Sequence, residues 1–388
     1  MKILSYYPWI YLRSGIERTL IEYAVRSRHQ FEFATNLFVP GATFPEFAQF
    51  RVIQLPGKVS VRRALAPVAI AGLKIALSRL QQFDHDLLLV HNDGLADFIL
   101  FRNHQKPAVC LCYTPLRIAY DPHYIAHNCH RKMGRRVVVD FLGRIHRWID
   151  RRAWSHYEHV VFISQEVRRR CIEGGLATDR SSILHPGINQ RSSVGSLVRE
   201  SFFLYAGRIM WTKNVESAIR GFQIAKERGT VPQHMRLVIA GMVDAESSTY
   251  LAMLKALAGG DASIAFLESP SDEELHDLYR RCFAVIFPAF NEDWGLVPLE
   301  AMSFGKTVVS SDTGGPRETM IDGKTGWLVR PHPEGIATGI KRCVDSEDSL
   351  NEMSIACKAR ASEFTWDDFA TTMDDRLDNV LETSKRVV

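Results

Sequence analysis

The stretch FAVIFPAFNEDWGLVPLEAMSFGKTVVSSD (283–312) reads as strand, loop, helix and strand. FAVIFP is a short, continuous apolar run, the pattern of a strand covered on both faces. Pro298 then suits the first turn of a helix, where the amide hydrogen it lacks has no internal partner. TVVSSD (307–312) is a second buried strand. Strands joined through a helix run parallel, so the stretch is a βαβ unit.

The same pattern extends in both directions. KILSYY opens the chain, and GIERTLIEYAVRS follows with apolar residues at helical spacing: Ile16, Leu20, Ile21 and Ala24. FEFATNLFV (31–39), DLLLVH (86–91), PAVCLCY (107–113) and HVVFIS (159–164) are further strand candidates. After the Pro/Gly/Ser-rich stretch PGINQRSSVGSLV (186–198) the pattern restarts with SFFLYAG (201–207), RLVIAG (236–241) and ASIAFL (262–267). This predicts an α/β chain of two doubly wound, Rossmann-like domains, 1–185 and 199–365, joined by a linker. Ligands of such sheets sit outside the carboxyl ends of the strands, so two facing domains would place a site in the cleft between them.

A chain of 388 residues is long enough for two such cores. Its seven cysteines show no paired CxxC spacing, which predicts reduced thiols rather than a disulfide framework or zinc site. No His/Asp cluster has metal-ligand spacing. MKILSYYPWIYLRSGIE reaches polar residues too early for a signal peptide. ALAPVAIAGLKIAL (64–77) is too short to span a bilayer and contains Lys74.

The formal charge of +4 hides an asymmetry. Residues 1–185 hold 26 Lys and Arg against 15 Asp and Glu; residues 186–388 hold 22 against 29. A basic half predicts an anionic partner: nucleic acid, a membrane surface or a phosphorylated substrate.

Two constellations carry chemistry. In NEDWGLVPLE (291–300), the amides of Gly295, Leu296 and Val297 open a helix, a natural phosphate site. Glu292 sits in the loop before it and Glu300 on its body. A carboxylate repels phosphate, so each should meet hydroxyls of the same ligand. The plainer reading, a loop charge and a solvated helix residue, stands beside that one. In FLYAGRIMWTKN (203–214), a strand runs into Gly207, then Arg208 and Lys213. A planar guanidinium and a mobile ammonium together would neutralise a diphosphate; two solvated charges after a strand is the alternative.

With these motifs the chain resembles the family 4 glycosyltransferases, retaining enzymes of the GT-B fold. The resemblance covers nearly the whole chain and is strongest in the E-x7-E pattern from Glu292 to Glu300. AMSFGKTVVSSDTGGPRETMIDGKTGWLV (301–329), GRIMWTKN, VFISQEVRRR with SSILHPGIN (181–189), and FTWDDFA (364–370) follow in family order. The resemblance implies that Gly207, Arg208, Lys213 and the Gly295–Val297 amides hold the donor diphosphate. It implies that Glu300 binds the ribose, Glu292 the transferred sugar, and the backbone at Leu267 and Glu268 the base. It also implies a terminal helix, about 366–388, returning to the first domain, and no divalent metal or other cofactor beyond the nucleotide-sugar.

In the first domain, SGIERTL (14–20) resembles the family's glycine turn, with Ser14 replacing the first glycine and Gly15 near sugar or acceptor; an ordinary turn before a helix is the alternative. CYTPLRIAYD (112–121) resembles a loop of bacterial GDP-mannose-dependent mannosyltransferases, with Tyr113 where those have histidine. Tyr113, Arg117 and Asp121 are acceptor-side candidates by that resemblance; an internal Arg117–Asp121 ion pair is the alternative. His91, at a strand end, reads as structural.

RKMGRRVVVDFLGRIHRWIDRR (131–152) carries eight Lys and Arg against two Asp, with Val137, Val138, Phe141, Leu142, Ile145, Trp148 and Ile149 at helical spacing. Such a helix either lies on an anionic bilayer or packs its stripe on the core with its arginines solvated. The combined expectation is a hexosyltransferase moving mannose from GDP-mannose to a lipid-linked glycan in cell-surface polysaccharide or lipopolysaccharide assembly. It would be cytoplasmic and peripheral at the inner membrane face. The alternatives are a UDP-glucose or other UDP-hexose donor, or a non-catalytic nucleotide-sugar-binding partner subunit. No helix-turn-helix, RNP-like run or zinc-finger spacing supports nucleic acid.

Overall fold

Apolar runs become central strands because helices cover both faces of a parallel sheet and leave no solvated side. The computed structural model describes residues 1–61, 64–129, 133–190, 199–244 and 247–387. The chain divides into two units, Met1–Gly187 with Trp366–Val388, and Ile188–Thr365. Of the expected linker, 191–198 lie outside the described residues.

The strands of the first unit are β1 (Lys2–Tyr6), β2 (Trp9–Ile10), β3 (Gln30–Thr35), β4 (Leu37–Phe38), β5 (Arg51–Gln54), β6 (Leu87–Asn92), β7 (Ala108–Cys112), β8 (His159–Phe162) and β9 (Ser181–Ile183). Seven of them form one sheet in the order β5-β3-β1-β6-β7-β8-β9, while β2 pairs only with β4. The run FEFATNLFV is therefore broken. Asn36 turns inward at the break, accepting from the Tyr6 hydroxyl (2.7 Å) and donating to Ser78 Oγ (3.1 Å). Strands β5 and β9 lie at the sheet edges, where partial exposure removes the apolar signal that marks the central strands.

The terminal helix Trp366–Val387 packs on the helix Gly15–Ala24. Asp374 is the pin: it accepts from the Tyr23 hydroxyl (2.7 Å), Ser27 Oγ (2.6 Å) and the Arg28 amide (2.9 Å). Tyr23 and Phe369 meet edge to face at 5.9 Å.

The second unit holds β10 (Phe202–Ala206), β11 (Arg236–Gly241), β12 (Ile264–Glu268), β13 (Ala284–Phe287), β14 (Val308–Ser311) and β15 (Gly326–Val329). Their order is β12-β11-β10-β13-β14-β15, all parallel. The chain thus winds outward from β10 in one direction, returns, and winds outward from β13 in the other. The point of reversal lies between β10 and β13, which pair through Phe203 with Ala284 and Leu204 with Val285. In a doubly wound sheet the ligand crevice opens there, at the carboxyl ends of these two strands. Phe203, Leu237, Ile239 and Ile286 from the sheet, with Ile219, Phe222, Ile336 and Ile340 from the helices, are buried in the core beneath it.

Among the described residues no helix is long and apolar enough to cross a membrane. Cys110, Cys112, Cys171, Cys282, Cys343 and Cys357 are buried free thiols.

Candidate functional site

Both chemical constellations of the second unit lie at this point of reversal. Gly207 follows β10 directly, at φ +137°, beside Gly241 at the end of β11. A Cβ on Gly241 would come within 1.8 Å of the Gly207 carbonyl, so the two turns approach closer than any side chain permits. The Tyr205 hydroxyl donates to the Arg208 carbonyl at 3.0 Å and fixes the turn's exit. Burial, then the nearby Glu292 charge, pushes the Tyr205 hydroxyl far above its ordinary pKa, so it stays a donor. The half-buried Arg208 guanidinium makes no hydrogen bond or ion pair among the described residues.

Lys213 closes a short 3-10 turn, and Asn214 behind it adopts the left-handed conformation at φ 54°. The Asn214 amide donates to the carbonyls of Pro288 (3.0 Å) and Pro331 (2.9 Å), tying this turn to the exit of β13. The Lys213 ammonium thereby reaches Glu292 and donates to both its oxygens, at 2.8 and 2.7 Å. Their side chains are 15% and 19% exposed, so water screens this pair only in part. The ammonium also lies 5.6 Å from the centre of the Phe287 ring.

The loop carrying Glu292 is clamped from a third strand. Past β14, Gly314 and Gly315 lie against Asn291–Trp294, and the Gly315 amide donates to the Glu292 carbonyl at 2.8 Å. A Cβ on Gly314 would sit 2.3 Å from that carbonyl, and one on Gly315 2.2 Å from the Trp294 carbonyl. Neither these glycines nor Asn214 is marked as functional by residue type alone; the Gly-Gly pair in SSDTGGP is the signal the sequence offers.

Gly295, at φ 93°, caps the helix Leu296–Ser303, whose first amides face the carboxyl ends of the strands because the helix follows β13. Val297 lies 4.0 Å from where a Cβ on Gly207 would stand, so the helix start and the glycine turn adjoin. Glu300 is one turn further in, 3.4 Å from the Tyr279 hydroxyl, whose pKa burial and then the Glu300 charge raise. Leu267 and Glu268 end β12, two strands away from β10; the Glu268 carboxylate is half-exposed and paired with Lys255 at 2.5 Å. The structure thus gathers Gly207, Arg208, Lys213, Glu292 and Gly295–Val297 into one anion-receptive corner, with Glu300 adjoining it. Leu267 and Glu268 stand at its side.

The remaining candidates belong to the first unit. Gly15 begins the helix Gly15–Ala24, with Ser14 as its N-cap accepting from Ile16. Glu17 is buried beneath this turn, accepting from Ser14 Oγ and the Leu12 amide. Tyr113 is 5% exposed, and its hydroxyl is bonded at 2.9 Å to Nδ1 of the buried His91, whose Nε2 meets Ser5 Oγ at 3.0 Å. Burial holds His91 neutral, its pKa lowered to about 3. The Tyr113 hydroxyl thus closes an internal chain rather than standing open to solvent. Arg117 Nη1 lies 4.0 Å from the buried Asp121, which also accepts from the amides of His123 and Tyr124. The ion pair and an acceptor-side role are compatible here.

Two Rossmann-like α/β units define the class of fold as GT-B. Alr3699/HepE of Anabaena, solved in complex with UDP and glucose, superposes with a TM-score of 0.72 over 97% of this chain and 99% of its own, at 18% identity. Sucrose-phosphate synthase of Thermosynechococcus elongatus gives 0.75 over 99% and 100%, at 16% identity. At such identity the likeness concerns the fold. Residues 188–360, most of the second unit, match the family model Glycosyl transferases group 1. Curated relatives share sequence similarity with part of the chain. D-inositol 3-phosphate glycosyltransferase of Corynebacterium diphtheriae is 29% identical over 45% of this chain and 42% of its own. Alpha-1,3/1,6-mannosyltransferase ALG2 of Dictyostelium discoideum is 29% identical over 45% of each. The chain spans about half the length of the curated relatives it matches.

Proposed function

We propose that this protein is a retaining glycosyltransferase that moves a hexose from a nucleoside diphosphate sugar to a glycan acceptor. The observation that carries the reading is the Lys213–Glu292 pair at the point of reversal between β10 and β13, beside Arg208, which has no side-chain partner among the described residues, and a helix start. Transfer breaks the bond between the sugar's C1 and the diphosphate oxygen and forms a new C1–O bond to an acceptor hydroxyl. Negative charge grows on the departing phosphate, and Arg208, Lys213 and the Gly295–Val297 amides are preorganised to receive it. The acceptor's proton passes to that phosphate oxygen, so no protein base is required. Glu292 holds hydroxyls of the transferred sugar and Glu300 those of the ribose. Protein cations rather than a divalent metal answer the diphosphate.

GDP-mannose is the leading donor and a lipid-linked glycan the leading acceptor. The TPLRIAYD stretch and the similarity to a relative named as a mannosyltransferase support mannose. A UDP-hexose is the second reading, favoured by the fold's likeness to a protein solved with UDP and glucose. The test is calorimetric binding of GDP, UDP and ADP, followed by slow hydrolysis of the matching donor sugars. Preference for GDP with release of mannose is the expected result. A UDP preference retains the side-chain roles and discards mannose, and binding of none of the three removes the transferase reading in favour of a non-catalytic subunit.

A further inference from the structure

The helix Met133–Trp154 presents its apolar side outward. Its inward face carries Val139, Gly143, His146 and Asp150. Asp150 accepts from the Tyr120 hydroxyl at 2.6 Å, the His146 ring lies 5.4 Å from that of Phe98, and Arg147 donates to the Ala119 carbonyl. Polar contacts thus lock one side of the helix onto the unit. The opposite side, about 140° of its circumference by helical geometry, leaves Val137, Val138, Phe141, Leu142, Ile145 and Trp148 exposed at 66%, 50%, 62%, 40%, 41% and 57%. The reading in which this stripe packs on the core is overturned. Residues 130–132 and the Arg135 side chain lie outside what is described.

A second helix enlarges the surface. Leu65–Leu77 packs on the same Phe98: a Cβ on its Gly72 would lie 3.1 Å from that ring. Its Ile70 and Leu73 are 55% and 61% exposed. The connections β5 to β6, β6 to β7 and β7 to β8 step in one direction across the sheet, so right-handed crossovers bring both helices to one face.

The rim of this face is cationic. Six arginines stand against two aspartates between 133 and 154. Asp150 is buried, and Asp140 lies 3.9 Å from Arg136. Arg144 is exposed, and the Arg152 guanidinium stacks 3.6 Å over the Trp148 ring. Apolar side chains, an interfacial tryptophan and arginines together match the headgroup boundary of an anionic bilayer. A second copy fits less well, because a twofold interface would oppose this cationic rim to itself.

We propose that this face docks the protein on an anionic lipid surface, its apolar side chains entering the headgroup boundary and Arg144 and Arg152 meeting lipid phosphates. The proposal goes beyond the transferase reading and does not depend on it. The test is sedimentation of the full chain with vesicles of phosphatidylcholine alone or mixed with phosphatidylglycerol. Binding is expected only to the mixed vesicles, weakening as salt is raised. Phe141→Ser with Trp148→Ser should weaken it about tenfold or more, and Arg144→Gln or Arg152→Gln about fivefold each. These side chains are exposed, so thermal melting should be unchanged. Equal binding to both vesicle types, binding to neither, or unaltered binding by the variants overturns the proposal. So does a lipid-free dimer, seen by light scattering, that Trp148→Ser disperses.

Discussion

Glu292→Gln separates the two tasks assigned to the corner, because they respond with opposite sign. The Lys213 ammonium is held by both Glu292 oxygens at 2.7–2.8 Å. A donor diphosphate must share that ammonium and approach the carboxylate that holds it. Like charges about 7 Å apart repel by roughly 2–3 kcal/mol at an effective dielectric of about 20. Salt screening and Arg208 reduce this to about 1–2 kcal/mol. The amide keeps the side chain's shape and removes the repulsion. Nucleoside diphosphates should therefore bind about 5–30 times more tightly. Transfer should nevertheless fall by about 100-fold, because a neutral amide replaces a charge-assisted bond to the sugar. Calorimetry with GDP and UDP reads the first effect, and donor turnover the second. Weaker nucleotide binding would place the diphosphate away from Lys213, and undiminished turnover would remove Glu292 from the sugar.

Arg208→Ala should weaken both nucleotide binding, by roughly 10- to 100-fold, and turnover, since its charge serves ground and transition states alike; unchanged calorimetry and kinetics would place the diphosphate elsewhere. Gly315→Ala forces a methyl group against the Trp294 carbonyl and should cost about 1–3 kcal/mol, read as a lower melting temperature with weakened nucleotide binding; wild-type behaviour in both would remove the clamp. Asp97→Asn addresses pH. Burial first, then Asp150, raises the Asp97 carboxyl well above the usual carboxylate range, so its proton stabilises the fold at low pH and that contribution is lost as pH rises through the raised value. The variant should therefore lack that decline and melt higher than wild type once pH stands above the ordinary carboxylate range; parallel melting curves across pH would refute the assignment.

The α/β class was legible because a strand covered on both faces needs an unbroken apolar run, and RLVIAG and FAVIFP are such runs. The edge strands β5 and β9 were not, since a half-solvated strand tolerates polar residues and loses the pattern. Lys213 and Glu292 each stood out by residue type and by position after a strand. Their contact did not: the two lie 79 residues apart, and it is the pairing of β10 with β13 that brings them together. Tyr113 shows the converse. Its place in a loop motif suggested the acceptor side, yet a buried imidazole 22 residues earlier takes its hydroxyl.

The helix Met133–Trp154 divides the two kinds of information most sharply. Periodicity is a property of the helix alone, so the sequence determined that an apolar stripe and flanking arginines exist. Which side faces inward depends on what the rest of the unit offers. Tyr120, Ala119 and Phe98 offer partners to Asp150, Arg147 and His146, and these polar and aromatic contacts turn the helix so that its apolar stripe meets solvent. Only the tertiary structure decided that orientation, because those partners come from segments distant in the chain.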